Sequence, residues 1–310
     1  MMKLNNKKLT IVLAVLVIVY LGARFFRASK RENTLNIELA AIDTASVQQI
    51  KLYPVSEQRQ EVVLSRTPQG WVVSREGMSD RADSNAVKAL MGSFVDMRAN
   101  RIVTGQSSKW DEYHVGDTSG IRIVVLGGGD IRLGEWWLGD APAQGNPYGG
   151  GQSYLRLADA DKVYAVDGYL YSQYNKPLND WRDKTFLRVT KDDVMSITAS
   201  GVSAWSLTKE GTSWLLDGAT ADSAAVERYI SRMALMSLPT FANGFEPKDG
   251  ADALLTVHGR SGELVSVQAW KQDTAQWIVQ SSQRPTTYFL VDDKKFADEV
   301  IPLKSSLDGR

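Results

Sequence analysis

Few side chains in this sequence are equipped for chemistry. There is no cysteine, and His114 and His258 are the only histidines among 310 residues. Thiolate nucleophiles, zinc ribbons and iron–sulfur clusters are thereby excluded, and a Ser-His-Asp triad or an imidazole metal site has almost no material. Neither histidine has another beside it in the sequence, so no ligand set can be nominated. The acids Asp180 and Asp183 of LNDWRDKTFLRVTKDD could act as a glycosidase-type acid/base pair in a cleft. Interleaved with Trp181, Arg182 and Lys184, they read instead as a charged connector forming surface ion pairs of little energetic weight. LGGGD at 126–130 and YGGGQS at 148–153 invite comparison with phosphate-cradling loops. Such a loop leads from a strand into a helix, whereas strands follow here, so a hairpin turn and a surface loop are expected. No catalytic residue, metal ligand or cofactor site is assigned, and a non-enzymatic protein is expected. The remaining candidates are aromatic: Trp110, Tyr113, Trp136 and Tyr148 form the proposed partner or ligand surface, with core burial the competing reading for Trp136.

The elements that would carry these residues begin with an anchor. Leu9–Ala23 is unbroken by charge, and the apolar run extends to Phe26 if Arg24 is spanned. As a helix, residues 9–26 would measure about 27 Å, close to a bilayer's apolar thickness once Arg24 and Arg27 snorkel. The run ends in Arg24, Phe25, Phe26 and Arg27 without a small-x-small cleavage pattern, so an uncleaved membrane helix is expected. Three lysines precede it and four basic residues follow it, which leaves the orientation undecided by charge. Of the 36 basic residues, seven lie within residues 1–31, leaving 29 against 36 acids in the body, a net −7. A mildly acidic body argues against nucleic-acid binding, which needs a basic face.

The body then repeats itself. ADSNAVKALMGSF at 82–94 is answered by ADSAAVERYISRM at 221–233, each with an aspartate placed to cap a helix, Asp83 and Asp222. The apolar stripes Val87, Leu90, Met91, Phe94, Val95 and Val226, Tyr229, Ile230, Met233, Ala234 share one helical spacing. Further blocks correspond in the same order: Val47 and Ile50 with Val194 and Ile197, Trp71 with Trp214, Trp137 with Trp270, and Asp167 with Asp292. Recurring tryptophans point to core packing. Alternating runs such as Ile121–Leu126 and Ile131–Leu138, joined by GGGD, read as antiparallel hairpins. The expected architecture is α+β: an N-terminal transmembrane helix, then two duplicated domains, each a mostly antiparallel sheet with one amphipathic helix. Its boundaries are an anchor at 1–31, a linker at 32–46, the first repeat at 47–178, a connector at 179–193 and the second repeat at 194–310. The first copy is longer around GQSSKWDEYHVGD and GDAPAQGNPYGGGQ, and inserted loops are common places for function.

Taken together, the basic-flanked anchor, the GW strand followed by the AD-initiated helix, WDEYHVGD, VYAVDG and LNDWRDKTFL resemble the bacterial domain of unknown function 4340 family. The resemblance covers the body and supplies no catalytic residues. It implies a single-pass bacterial inner-membrane protein with a periplasmic body, encoded beside gliding-motility-type ABC transporter subunits. On that basis the expected function is a non-enzymatic accessory or scaffold subunit whose partners are the membrane and ABC-type permease or auxiliary subunits. The alternatives are a glycan- or lipid-binding module and, third, a hydrolase.

Overall fold

A computed structural model describes Tyr20 and residues 37–95, 97–141, 151–247, 250–272 and 275–308. The expected membrane helix, Tyr20 apart, and Tyr148 lie outside the described residues. Among the described residues, no helix is long and apolar enough to cross a membrane. The chain divides into two compact units, Met1–Gly77 with Ser84–Leu178 and Met78–Asp83 with Asn179–Arg310. The second unit therefore takes six residues that the sequence places inside the first half. Each unit is mainly antiparallel sheet with few helices, in keeping with the α+β class.

The first unit contains β1 (Ile37–Ala40), β2 (Gln49–Tyr53), β3 (Val62–Thr67) and β4 (Gly70–Arg75). After β5 (Met78–Arg81), which is counted with the second unit, come α1 (Ser84–Val95), β6 (Met97–Thr104), β7 (Ile121–Leu126) and β8 (Arg132–Asp140). It finishes with β9 (Gln152–Leu157), β10 (Val163–Asp167) and the short α2 (Leu170–Tyr174). Within the unit the order is β1-β6-β10-β9-β8-β7-β2-β3-β4, with antiparallel neighbours. GGGD forms the expected turn between β7 and β8, where Gly129 (φ 66°) and Asp130 (φ 59°) are both left-handed, a backbone that reverses right-twisted strands. Period-two alternation in β2 buries Ile50 and Leu52.

Helix α1 buries Val87, Leu90 and Phe94, and the Phe94 ring meets the edge of Trp136 on β8 at 5.5 Å. The stripe is narrower than its sequence pattern. Val95 is the last helical residue, with β6 starting two positions later, and it remains 59% exposed instead of extending the apolar face.

The second unit comprises β11 (Thr185–Leu187), β12 (Val194–Gly201), β13 (Trp205–Glu210), β14 (Ser213–Leu216), β15 (Ala219–Thr220) and α3 (Ser223–Met233). These are followed by β16 (Met236–Ser237), β17 (Ala253–Gly259), β18 (Gly262–Lys271), β19 (Gln276–Ser281), β20 (Phe289–Asp292) and the single turn α4 (Asp293–Lys295). Its main sheet runs β15-β14-β13-β12-β17-β18-β19-β20, and β11 pairs with β16 separately. From β14 to β20 the order corresponds strand for strand to β4-β3-β2-β7-β8-β9-β10 of the first unit. Residues 179–193 are part of this unit: Phe186, Leu187 and Val189 join its core beside Trp205, Trp214 and Trp277. Of the recurring tryptophans, Trp137, Trp214 and Trp270 are buried as expected, whereas Trp71 is half-buried beneath the Arg66 guanidinium, 5.2 Å from the ring centre.

Helix α3 starts where its sequence signal placed it. The Asp222 carboxylate accepts from the amides of Ala224 (2.8 Å) and Ala225 (3.2 Å), satisfying two donors that the helix leaves open and countering its positive end. Val226, Tyr229, Ile230 and Met233 then face the sheet. Replacing Asp222 with Ala should destabilise the protein by about 1 kcal/mol, a shift of a few degrees in thermal midpoint, because those amides lose their acceptor. Calorimetry of the two proteins measures it.

Candidate functional site

The segment Trp110–Asp117 is a chain of tight turns, with backbone bonds from Tyr113 N to Trp110 O and from Val115 N to Trp110 O. Arg156, the fifth residue of β9, organises it. This side chain is buried, its guanidinium lies 3.9 Å from the Trp110 ring centre and 4.1 Å from that of Trp137, and it donates to Val115 O (2.9 Å) and to the Asp117 carboxylate (2.6 Å). Two aromatic faces and a carbonyl replace the water that the cation gives up. Asp117 is 71% exposed, so its ionic contribution is the smaller part.

Trp110 donates its indole N–H to Asp161 O (2.9 Å), and Tyr113 packs edge-on against Tyr154 at 5.0 Å. A Cβ at Gly139 would collide with the backbone carbonyl of Tyr113, which explains a glycine on β8 at that point. Trp110 and Tyr113 are thus half-buried residues that fasten a loop to the sheet. Trp136 is a correction: it is fully buried against Phe94, because β8 turns this residue toward α1, and it presents nothing to a partner. Tyr148 lies outside the described residues. His114 is exposed in a left-handed conformation (φ 52°), and His258 is half-buried on β17. Among the described residues, no group of three or more His, Asp or Glu could hold a metal ion.

The charged motif at 180–184 divides in two. Asp180 and Lys184 make the expected surface pair at 3.2 Å, both substantially exposed. Arg182 does not: it is buried and grips Asp80 through Nε (2.9 Å) and Nη2 (2.7 Å), while Arg284 reaches the other oxygen of Asp80 at 2.5 Å. The expectation of weak surface ion pairs fails for Arg182 because its partner comes from a distant stretch of chain and both groups are shielded from water. Burial lowers the Arg182 pKa, opposed by its bonds to Asp80. Asp183 is occupied locally, its carboxylate capping the amide of Thr185 (2.9 Å). Asp80, Arg156 and Arg284 escaped the sequence reading; the available signals were an arginine in the otherwise apolar run YLRL and a lone acid in a four-residue strand.

A cleft of about 340 Å³ opens in the first unit, lined by Ser93, Met97, Arg98, Asn100, Val166, Asp167 and Leu170. Asn100 donates to Asp167, and Ser93 is hydrogen-bonded to Tyr174, a fully buried phenol whose pKa burial pushes up. Burial likewise raises Tyr53 to about 12, helped by its hydrogen bond to Glu61, and raises Tyr229. Among carboxylates, Lys304 and the Ser206 amide lower Asp217, and Lys191 lowers Glu227. For Glu135 burial works upward, but bonds from Arg122 (2.8 Å) and Arg132 (2.6 Å) outweigh it and hold the group below an ordinary glutamate.

Residues 71–256, more than half of the chain, match the model of a family described as a domain of unknown function (DUF4340). No curated protein and no solved structure matches the chain.

Three substitutions test these contacts. Arg156→Ala should cost about 2–4 kcal/mol, since it empties the space between two indoles and leaves the Val115 carbonyl without its donor. Asp117→Asn should cost under about 1 kcal/mol, because the carboxylate is exposed; chemical denaturation gives both values. Glu135, depressed in the folded state, contributes stability that is present above its unfolded pKa of about 4.3 and is lost as pH falls through the folded value. Glu135→Gln should therefore flatten the fall of stability below about pH 4.3; an unchanged acid limb would contradict the assignment.

Proposed function

The chain belongs to the DUF4340 family, and we propose that it is a membrane-anchored, extracytoplasmic accessory subunit that works by holding partner proteins. The partners proposed are ABC-type permease or auxiliary subunits of the cell envelope. One observation carries the reading. The charged and aromatic residues of the two most distinctive motifs, WDEYHVGD and LNDWRDKTFL, are largely spent on holding the fold: Trp110 on Arg156, and Arg182 on Asp80. Side chains engaged this way set the position of loops and leave contact to the surface around them.

The shared strand order of the units, together with the ordered sequence blocks, supports descent by internal duplication. The uncharged run from Leu9 to Ala23 supports the anchor, and tethering would raise the effective concentration of two folded units near a membrane partner. The contact surface is proposed around Trp110–Asp117 and at the base of the Gly139–Gln152 stretch, where Tyr169 is 62% exposed.

A second reading, a small-molecule or glycan-binding module, is favoured by the cleft beside Arg98 and Asp167, which combines hydrogen-bonding groups with the apolar Met97, Val166 and Leu170.

Purification of the full chain in mild detergent should bring ABC-type membrane subunits with it, read by mass spectrometry. Deleting residues 142–150 should leave thermal stability nearly unchanged, since loop length costs only about 0.6 kcal/mol per doubling, while reducing that recovery. Undiminished recovery would remove the loop from the interface, and substrate turnover by the purified body would end the holding role.

A further inference from the structure

In the second unit one buried carboxylate is met by two buried arginines. Asp80 is buried, and its two oxygens accept from five donors. Arg182 reaches Oδ2 through Nε at 2.9 Å and Nη2 at 2.7 Å; Oδ1 receives Arg284 Nη2 at 2.5 Å, Thr287 Oγ1 at 3.0 Å and the Arg81 amide at 2.8 Å. The receiving groups are themselves fixed. Arg182 also donates to the side-chain oxygens of Asn179 (3.1 Å) and Asn243 (2.6 Å), with its guanidinium 3.5 Å from the Phe241 ring centre. Arg284 donates to the carbonyls of Asp183 (3.1 Å) and Thr185 (2.8 Å). Two buried guanidiniums pre-positioned around one carboxylate are the arrangement of an anion receptor.

The backbone adds a second element of recognition. Ala82 bridges Arg182 in antiparallel fashion, Asp83 N donates to Trp181 O (2.8 Å), and Asp183 N donates to Arg81 O (2.8 Å). Arg81 also donates to Gln283 O at 3.3 Å. The contact is one isolated antiparallel bridge at Ala82 flanked by two main-chain bonds. Every receiving residue lies between Asn179 and Thr287, whereas the occupant lies about a hundred positions earlier, between β4 and α1.

We propose that residues 179–287 form a carboxylate receptor, a two-arginine clamp, and that Asp80 is its tethered occupant. This inference is independent of the accessory role proposed above. The second unit is then complete only when Asp80, from the first half of the sequence, has docked, because the empty clamp would leave Arg182 buried without its carboxylate and Arg284 with Asp183 alone, at 3.6 Å. The ligand chemistry it accepts is an alkyl carboxylate.

The test uses the full chain carrying Asp80→Ala, which removes the carboxylate and leaves room for a small one. In chloride buffer its thermal midpoint should fall by several degrees. Sodium formate at matched ionic strength should restore it saturably, with no such effect on the parent chain or on Asp80→Ala/Arg284→Met. If Asp80→Ala does not fold in chloride, the folded fraction recovered on refolding in formate is the readout. Loss of stability without formate rescue would overturn the clamp.

Discussion

An arginine that leaves water keeps its charge, and this constraint shapes much of the structure. Removing a guanidinium from solvent costs several kcal/mol unless its donors and faces are met, and Arg156, Arg182 and Arg284 are all buried. Each gathers partners from parts of the chain with little regular structure of their own: Trp110 to Asp117 around Arg156, and Asn179 and Asn243 around Arg182. The sheets supply a rigid frame through alternating apolar side chains, and the arginines determine where the irregular segments lie on it.

The two arginine centres meet the constraint differently. Arg156 relies on two indole faces and keeps its carboxylate partner mostly in solvent, so its neighbourhood tolerates a change of surface charge. Arg182 and Arg284 share one enclosed carboxylate, with Asp183 a more distant second partner of Arg284 at 3.6 Å. The first centre fixes a loop locally. The second joins Asp80 to arginines 102 and 204 positions later in the sequence.

The indole of Trp110 bonded to Asp161 O, the ring of Tyr113 packed on Tyr154 and the close backbone approach at Gly139 hold segment 110–117 against the sheet.

The sequence by itself determined the local structure. Asp222 before an apolar stripe at helical spacing gave a capped helix, GGGD between alternating runs gave a hairpin, and the shortage of cysteine and histidine excluded thiolate and imidazole sites, because each of these depends on residues close together in the chain or on composition alone. Burial was decided only by the tertiary structure. Trp136 and Trp137 are adjacent in sequence, yet one packs beneath α1 and the other stacks on Arg156, since neighbouring residues of a strand face opposite sides. Arg182 read as one charge among several in a polar stretch. Its partner Asp80 lies 102 residues before it, and Arg284, which shares that carboxylate, lies 102 residues after it; no local pattern records a contact that exists only once the chain has folded back on itself.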